Sequence, residues 1–179
     1  MTKIIIDDDF LNKDNKEFIN HIILGNNFPF FHRTKILSIG PASKEYNGFF
    51  THTILESEDN KWNSKHHPFF ESILYSFAQK HKIKYERLYR AAVNLTYHNG
   101  IKDRSPIHID HSFPHRQLLV YLNDPQDKDA KTFILDKNKK KVLKEITPKQ
   151  YRGVFFHSSP HYHLMPKFGE RMVFVITFK

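Results

Sequence analysis

The spacing of apolar residues changes about halfway along the chain. In the first half, residues 12–24 and 68–80 repeat apolar side chains at helical intervals, so each segment predicts an amphipathic helix. Segments 3–6, 30–37 and 49–55 have strand-like composition. From residue 88 the alternation has a period of two and predicts about eight short strands, at 88–97, 107–110, 117–122, 132–135, 142–146, 153–156, 162–165 and 172–178.

This order of elements predicts a mainly β fold with α elements (α+β), in which the helices pack on one outer face of a β core. Many short strands separated by turns are typical of a sandwich or a jelly-roll barrel. No repeat or linker divides the 179 residues, and 39% of them are hydrophobic. We therefore predict a single domain over 1–179, with a helical and strand support region at 1–87 and a jelly-roll core at 88–179.

The composition excludes several classes of site. The chain has no cysteine, which rules out disulfides, thiolate metal sites and cysteine nucleophiles together. Its apolar runs are far shorter than a membrane span, and acidic residues follow the N-terminal apolar stretch too soon for a signal peptide. We expect a cytoplasmic protein with no membrane association.

The net charge of +9 leaves an anionic partner such as nucleic acid open. Much of the excess comes from five lysines between residues 137 and 144. Because this run falls at the tip of a predicted hairpin, a solvated loop is the favoured interpretation.

The candidate chemistry centres on His108 and Asp110. Alternate residues of a strand point to one face, so a His-x-Asp pair presents both side chains together. A histidine from a neighbouring strand would complete a 2-His-1-carboxylate triad, which suits non-heme Fe(II) because open positions remain. With thirteen histidines in the chain, the alternative is a surface histidine beside a carboxylate.

The wider order of motifs is similar to that of the Fe(II)/2-oxoglutarate-dependent oxygenases, especially the prolyl-hydroxylase-like branch with its small phage and bacterial members. The resemblance covers residues 88–178, and it implies a double-stranded β-helix core of the cupin type. The paired glycines usual before the strand at 132 are replaced by Asp-Ala-Lys. The residues that carry the resemblance are Tyr97, Gly100, His108, Asp110, Tyr121, Leu122, Asn123, Thr132, Phe133, Pro148, Phe155, Phe156, His161, Pro166, Gly169 and Arg171.

The resemblance implies a metal site for Fe(II) made by His108, Asp110 and His161. His161 has the expected spacing to Arg171, which lies ten positions beyond it. His163 would share its face on an extended segment and is the second choice for the third ligand, with His157 the third choice.

The resemblance also implies a site for 2-oxoglutarate as cosubstrate. Arg171 would bind its distal carboxylate, since a planar guanidinium matches a carboxylate bidentately. Tyr97, Tyr121 and Asn94 are the further candidates for holding the cosubstrate, although alternation places Asn94 and Tyr97 on opposite faces of one strand.

These residues together imply a dioxygenase that uses O2 and 2-oxoglutarate to hydroxylate an amino-acid or protein side chain. Residues 111–116 follow the metal segment and are expected to line the mouth of the site. The alternatives are a base-modifying oxygenase of the same fold, a metal-binding cupin-like protein without oxygenase activity, and a basic nucleic-acid-binding module.

Overall fold

The computed structural model describes residues 3–33, 49–56, 61–98 and 103–179. Its helices are α1 (Lys13–Phe18), which a π helix (Ile19–Ile23) continues, and α2 (His67–His81). Residues 34–37 of the predicted strand at 30–37, and Gly100 of the motif series, lie outside the described residues. The strands are β1 (Ile4–Asp7), β2 (Phe31–Arg33), β3 (Phe49–Leu55), β4 (Leu88–Tyr97), β5 (Arg116–Tyr121), β6 (Thr132–Leu135), β7 (Val142–Ile146), β8 (Gly153–His157), β9 (His161–His163) and β10 (Glu170–Phe178).

The strands form two antiparallel sheets. The larger sheet has the order β1-β8-β5-β10-β4-β3-β2, and the smaller sheet has the order β7-β6-β9. Strands from the first half of the sequence therefore extend both edges of the larger sheet. The prediction of a mainly β fold with supporting helices is confirmed.

Alternation along the central strand β10 separates two apolar layers. On one face, Phe174 packs against Phe70 of α2, with ring centroids 4.9 Å apart, in a core that also holds Phe77 and Phe155. On the other face, Val173 belongs to a smaller apolar cluster that lies between the two sheets. The helices therefore cover one face of the larger sheet, and its other face is left for the smaller sheet and a cavity.

Two predicted elements differ in the structure. The helix expected over 12–24 is α-helical only to Phe18 and then widens to π geometry, in which Leu24 N–H donates to the Ile19 carbonyl. The strand predicted at 107–110 is wrong, because His108 makes only an isolated bridge to His161. The register shifts by one residue between this bridge and the bridge from Arg104 to Leu164, and Pro106, which lies between them, has no N–H to donate.

An ion pair ties the N-terminal segment to the start of β8. Asp8 accepts hydrogen bonds from Arg152, at 2.7 Å between Oδ1 and Nε and at 2.9 Å between Oδ2 and Nη2. These bonds, with Lys149 nearby and against the effect of partial burial, lower the pKa of Asp8 to about 2. The pair therefore joins two segments that are distant in sequence.

Among the described residues, neither helix has the length and apolar character needed to cross a membrane.

Candidate active site

A cavity lies between the two sheets. The larger sheet lines it with side chains of β3, β4, β5 and β10, and the smaller sheet lines it with side chains of β6 and β9. His108 and Asp110 reach the same cavity from the segment before β5. The cavity therefore collects polar residues from five strands and one connecting segment.

His108, Asp110 and His161 converge in this cavity. One candidate ligand atom from each residue lies within 4.8 Å of the other two. His161 Nε2 is 3.6 Å from Asp110 Oδ2, and the two imidazole rings have centroids 4.4 Å apart. Paired backbone hydrogen bonds of 2.9 and 3.0 Å between His108 and His161 hold the two histidines side by side.

The backbone fixes the tautomer of both histidines. His108 Nδ1 lies 3.0 Å from the Pro106 carbonyl, and His161 Nδ1 lies 2.9 Å from the Ser159 carbonyl. Because a carbonyl oxygen only accepts, each Nδ1 must carry the hydrogen, and the lone pair of the neutral ring is at Nε2. A hydrogen bond from the ring nitrogen that does not bind the metal is the usual support of a metal-binding histidine.

The charge states also suit a divalent cation. Burial raises the pKa of Asp110, but this effect is outweighed by four nearby side chains that lower the pKa to about 2, namely His161, His108, Arg90 and His115. The carboxylate is therefore ionised at neutral pH. Burial, together with His108, lowers the pKa of His161 to about 4, so its imidazole is neutral at the same pH. Asp110 Oδ2 is buried without a hydrogen-bond partner.

The spacing of these atoms fits a metal ion. Ligand atoms about 2.1 Å from an ion and at right angles to one another lie about 3 Å apart. The 3.6 Å between His161 Nε2 and Asp110 Oδ2 needs only a small inward shift to reach that value. Two imidazoles and one carboxylate also match the donor set of non-heme Fe(II) sites.

Arg171 is buried further along the cavity, with only 2% of its surface exposed. Its Nη2 donates to Thr132 Oγ1 at 2.8 Å, and its guanidinium lies 5.2 Å from the ring centroid of Tyr121. Tyr121 is fully buried, and its hydroxyl lies 2.7 Å from the same Thr132 oxygen. Arg171 Nε has no hydrogen-bond partner, so a buried donor on a cation is left for a ligand.

The other predicted cosubstrate residues divide between the two faces of β4. Asn94 lines the cavity, and Thr51 Oγ1 donates to its side-chain oxygen at 2.9 Å. Tyr97 was also predicted to hold the cosubstrate, and the structure places it on the other face of β4. It is 47% exposed, packs on Phe50 at 5.9 Å and takes no part in the cavity wall, because it has the opposite parity to Asn94 along β4.

The structure also separates the three candidate histidines. His163 lines the cavity on the same face as His161, but it is not in the group of three ligand atoms, and its buried Nε2 has no partner. Burial and Arg171 hold its pKa well below the usual value. His157 is exposed at the end of β8 and stacks edge-on against Phe155, on the face opposite the cavity.

Several cavity residues were not singled out from the sequence, namely Arg90, Thr96, Gln117, Leu119, Val173 and Val175, together with the role of Thr132. Most of them could have been found from the alternation of side chains along a strand. Positions 90, 94 and 96 lie on one face of β4, and positions 171, 173 and 175 lie on one face of β10. Residues 111–116, expected at the mouth, are not in the cavity wall. Within that stretch, His111 and His115 pack edge-on at 4.8 Å.

No protein-family model matches the sequence, and no curated protein matches it. Solved structures do match. A 2OG-Fe(II) oxygenase family protein from Burkholderia pseudomallei aligns with a TM-score of 0.71 at 11% identity, over 98% of this chain and 84% of that chain. A prolyl hydroxylase from Trichoplax adhaerens, solved with a peptide of a hypoxia inducible factor, aligns with a TM-score of 0.67 at 14% identity, over 98% and 82%.

A third match is the viral collagen prolyl hydroxylase of Paramecium Bursaria Chlorella virus-1, solved as a 2OG complex. It aligns with a TM-score of 0.58 at 16% identity, over 97% of this chain and 93% of that chain. The chain has the fold of the 2OG-Fe(II) oxygenases. This fold has a double-stranded β-helix core, so the core predicted from the sequence is confirmed. Because the identities are low, the similarity is one of fold, and the activity must be argued from the site.

Proposed function

We propose that the protein is an Fe(II)- and 2-oxoglutarate-dependent dioxygenase that hydroxylates an amino-acid or protein side chain. The observation that carries this proposal is the placement of His108, Asp110 and His161 in one cavity with the buried, incompletely bonded Arg171. The prolyl hydroxylases among the structures of the same fold support the peptide substrate class. The proposal takes residues 1–179 as one oxygenase domain, with a support region at 1–87, a metal-binding core at 88–179 and a cytoplasmic location.

Three side chains of the chain would serve as the protein ligands of the iron. His108 and His161 would hold Fe(II) through Nε2, and Asp110 through its carboxylate, which leaves three positions open. The bound iron supplies the redox chemistry with O2 and 2-oxoglutarate, and the protein supplies geometry and a suitable electrostatic environment. The Nδ1 hydrogen bonds of the two histidines keep both rings in the ligating orientation.

Arg171 would bind the distal carboxylate of the cosubstrate. Its free Nε and its Nη groups form a planar fork that matches a carboxylate. Thr132 and the ring of Tyr121 hold the guanidinium in place, and Asn94 lines the wall beside them. Val173 of β10, two residues beyond Arg171, lines the same cavity with an aliphatic surface.

An anaerobic absorption spectrum with Fe(II) and 2-oxoglutarate tests the proposal. We expect a metal-to-ligand charge-transfer band, followed on exposure to air by slow conversion of 2-oxoglutarate to succinate. Asp110→Ala should abolish both signals. Asp124→Ala is the matched control, since Asp124 is 57% exposed and forms its ion pair with a lysine that is itself about half exposed.

The alternatives predict different results in the same experiment. A cupin-like protein without oxygenase activity would bind Fe(II) but show no band that depends on 2-oxoglutarate. A nucleic-acid-binding module would take up no iron and would bind DNA or RNA with strong salt dependence. A band and succinate yield that persist in Asp110→Ala would remove this residue from the proposed ligand set.

A further inference from the structure

Gln117 has an unsatisfied side chain in a buried position. It is 1% exposed and lines the cavity, yet neither its amide nitrogen nor its amide oxygen has a hydrogen-bond partner. Buried polar groups are nearly always paired, because leaving one unpaired costs free energy. The residue takes no part in the metal group or in the contacts of Arg171, so neither function explains it.

The strand register places Gln117 at the end of the cavity opposite Arg171. Gln117 of β5 pairs with Thr177 of β10, and Thr177 pairs with Arg90 of β4. Six residues along β10 separate Thr177 from Arg171, which is about 20 Å at the usual rise of a strand. The cavity floor therefore has two polar ends.

Contacts through the metal group connect these ends. Arg171 bonds to Thr132, which pairs with His163. His161, two residues before His163 on β9, lies close to Asp110. The Oδ1 of Asp110 is in turn 3.5 Å from Arg90 Nη1. The metal group therefore lies between the cosubstrate end and the end formed by Gln117 and Arg90. A second molecule that reacts at the metal would reach this second polar end.

The side chains at this end define the group they would bind. A carboxamide presents a donor and an acceptor side by side, so its best partner is another amide. Arg90 adds a cationic donor that lines the same cavity and suits a carbonyl oxygen. A peptide satisfies all three, with the N–H that follows an extended residue on the Gln117 oxygen and the carbonyl that precedes that residue, which lies on the same side, shared by the Gln117 nitrogen and Arg90.

The walls favour an aliphatic residue over a nucleobase. Leu119, Val173 and Val175 line the cavity between its two polar ends. Phe49 is the one aromatic hydrocarbon ring among the described lining residues. Enzymes that act on a base commonly hold it between stacked aromatic or apolar faces and read its edge, whereas branched aliphatic walls suit a saturated side chain.

We propose that Gln117 and Arg90 determine substrate specificity by binding a backbone amide of a peptide substrate, next to the aliphatic residue that is oxidised. The inference rests on the proposed function and adds the recognition element and the chemistry that it reads. On this proposal, the Gln117 amide forms its hydrogen bonds with the substrate and not with other residues of the protein.

Amide and ester probes test this inference directly. The probes are N-acetyl N-methylamides of proline, leucine, valine and isoleucine, each paired with its N-acetyl methyl ester, which lacks the N–H. Binding is measured by ligand-observed NMR on anaerobic protein loaded with Fe(II) and 2-oxoglutarate. We expect at least one amide to bind, and its ester to bind about tenfold more weakly, as the loss of one hydrogen bond implies.

The variant Gln117→Met keeps an unbranched side chain and removes the amide. It should bind amide and ester equally, with an unchanged charge-transfer band, while the control Gln79→Met on the exposed side of α2 should keep the preference. Equal binding of amide and ester by the unmodified protein overturns the inference even if Gln117→Met fails to fold. So does the absence of binding by every amide, or binding of a thymidine tetranucleotide in their place.

The two proposals fail in different ways. A missing charge-transfer band removes the oxygenase and the inference with it. A normal band without an amide preference leaves the oxygenase intact and removes only the role of Gln117.

Discussion

Replacing Arg171 with methionine removes a buried positive charge and keeps a long unbranched side chain. Arg171 is 2% exposed, and none of the ion pairs among the described residues includes it. Its guanidinium has the Thr132 hydroxyl and the face of Tyr121 as neighbours, and its Nε is unpaired. The free protein therefore bears a desolvation cost that an anionic ligand would offset.

The stability of the ligand-free protein should therefore rise in Arg171→Met. An unsatisfied buried polar group costs about 1–3 kcal/mol, and more when it is charged. The hydrogen bond to Thr132 is lost, but Thr132 keeps its bond to the Tyr121 hydroxyl. We expect a net gain of about 1–2 kcal/mol in the free energy of unfolding, within the range seen when apolar side chains replace buried charged groups.

The response to 2-oxoglutarate should disappear in the same variant. In the protein with Arg171, ligand at about one hundred times its Kd adds about 2.7 kcal/mol. For a chain of this size, that corresponds to a rise in Tm of about 5–11 °C. Differential scanning calorimetry of metal-loaded protein under anaerobic conditions, with and without 2-oxoglutarate, measures both effects.

Arg171→Lys is the informative control. It keeps the charge but loses the planar fork, so it should gain no stability and should retain a reduced response to 2-oxoglutarate. An anion-binding role for Arg171 is ruled out if Arg171→Met is less stable than the unmodified protein and still shows the full rise in Tm with 2-oxoglutarate. That result would make Arg171 a structural residue of the core.

Three further predictions concern other parts of the molecule. His161→Ala should weaken Fe(II) binding more than about 100-fold and His163→Ala less than about tenfold, measured by anaerobic titration calorimetry, because only His161 is in the group of ligand atoms. Asp8→Asn should lower the free energy of unfolding by about 1 kcal/mol at pH 7, after allowing for partial exposure of the pair. The native pKa of Asp8, about 2, lies below its unfolded value, so this difference should persist above pH 4 and vanish as the pH falls through 2 in urea titrations. Gly153→Ala should cost about 1–3 kcal/mol in thermal unfolding, since a Cβ would lie 2.6 Å from the buried ring of Phe10.

Each of these predictions has a result that would contradict it. Equal losses of Fe(II) affinity in the two histidine variants would show that the position of His161 beside Asp110 does not make it the third ligand. A stability difference for Asp8→Asn that persists at pH 2 would mean that the ion pair is not its source. An unchanged Tm for Gly153→Ala would show that the Phe10 ring moves aside without cost.

Much of the fold follows from the alternation of apolar residues. Strand pairs such as β6 and β7, and the helix α2, lie close to the predicted positions, because a buried face imposes its period on the sequence. The segment at 107–110 could not be predicted in the same way. Its apolar alternation is that of a strand, but Pro106 removes a donor and the neighbouring partner is the short β9.

The cavity could be predicted only in part. Alternation along β4 places Asn94 and Tyr97 on opposite faces, so the sequence pattern by itself already separated these two candidates. Gln117 offers no such signal, since a glutamine in a strand is ordinarily a solvent-facing residue. That it is buried in the cavity with an amide that has no partner is seen only in the structure.

The order of amino acids alone specifies the types of donor that this protein can present and the faces on which they lie. The absence of cysteine excludes thiolate ligands from a metal site, and the two-residue period puts His161 and His163 on one face. That same period cannot choose between them, because residues two apart have equivalent orientations. The two histidines are distinguished by their tertiary contacts. His161 pairs with His108, which places its imidazole against Asp110, whereas His163 pairs with Thr132, which places its imidazole toward Arg171.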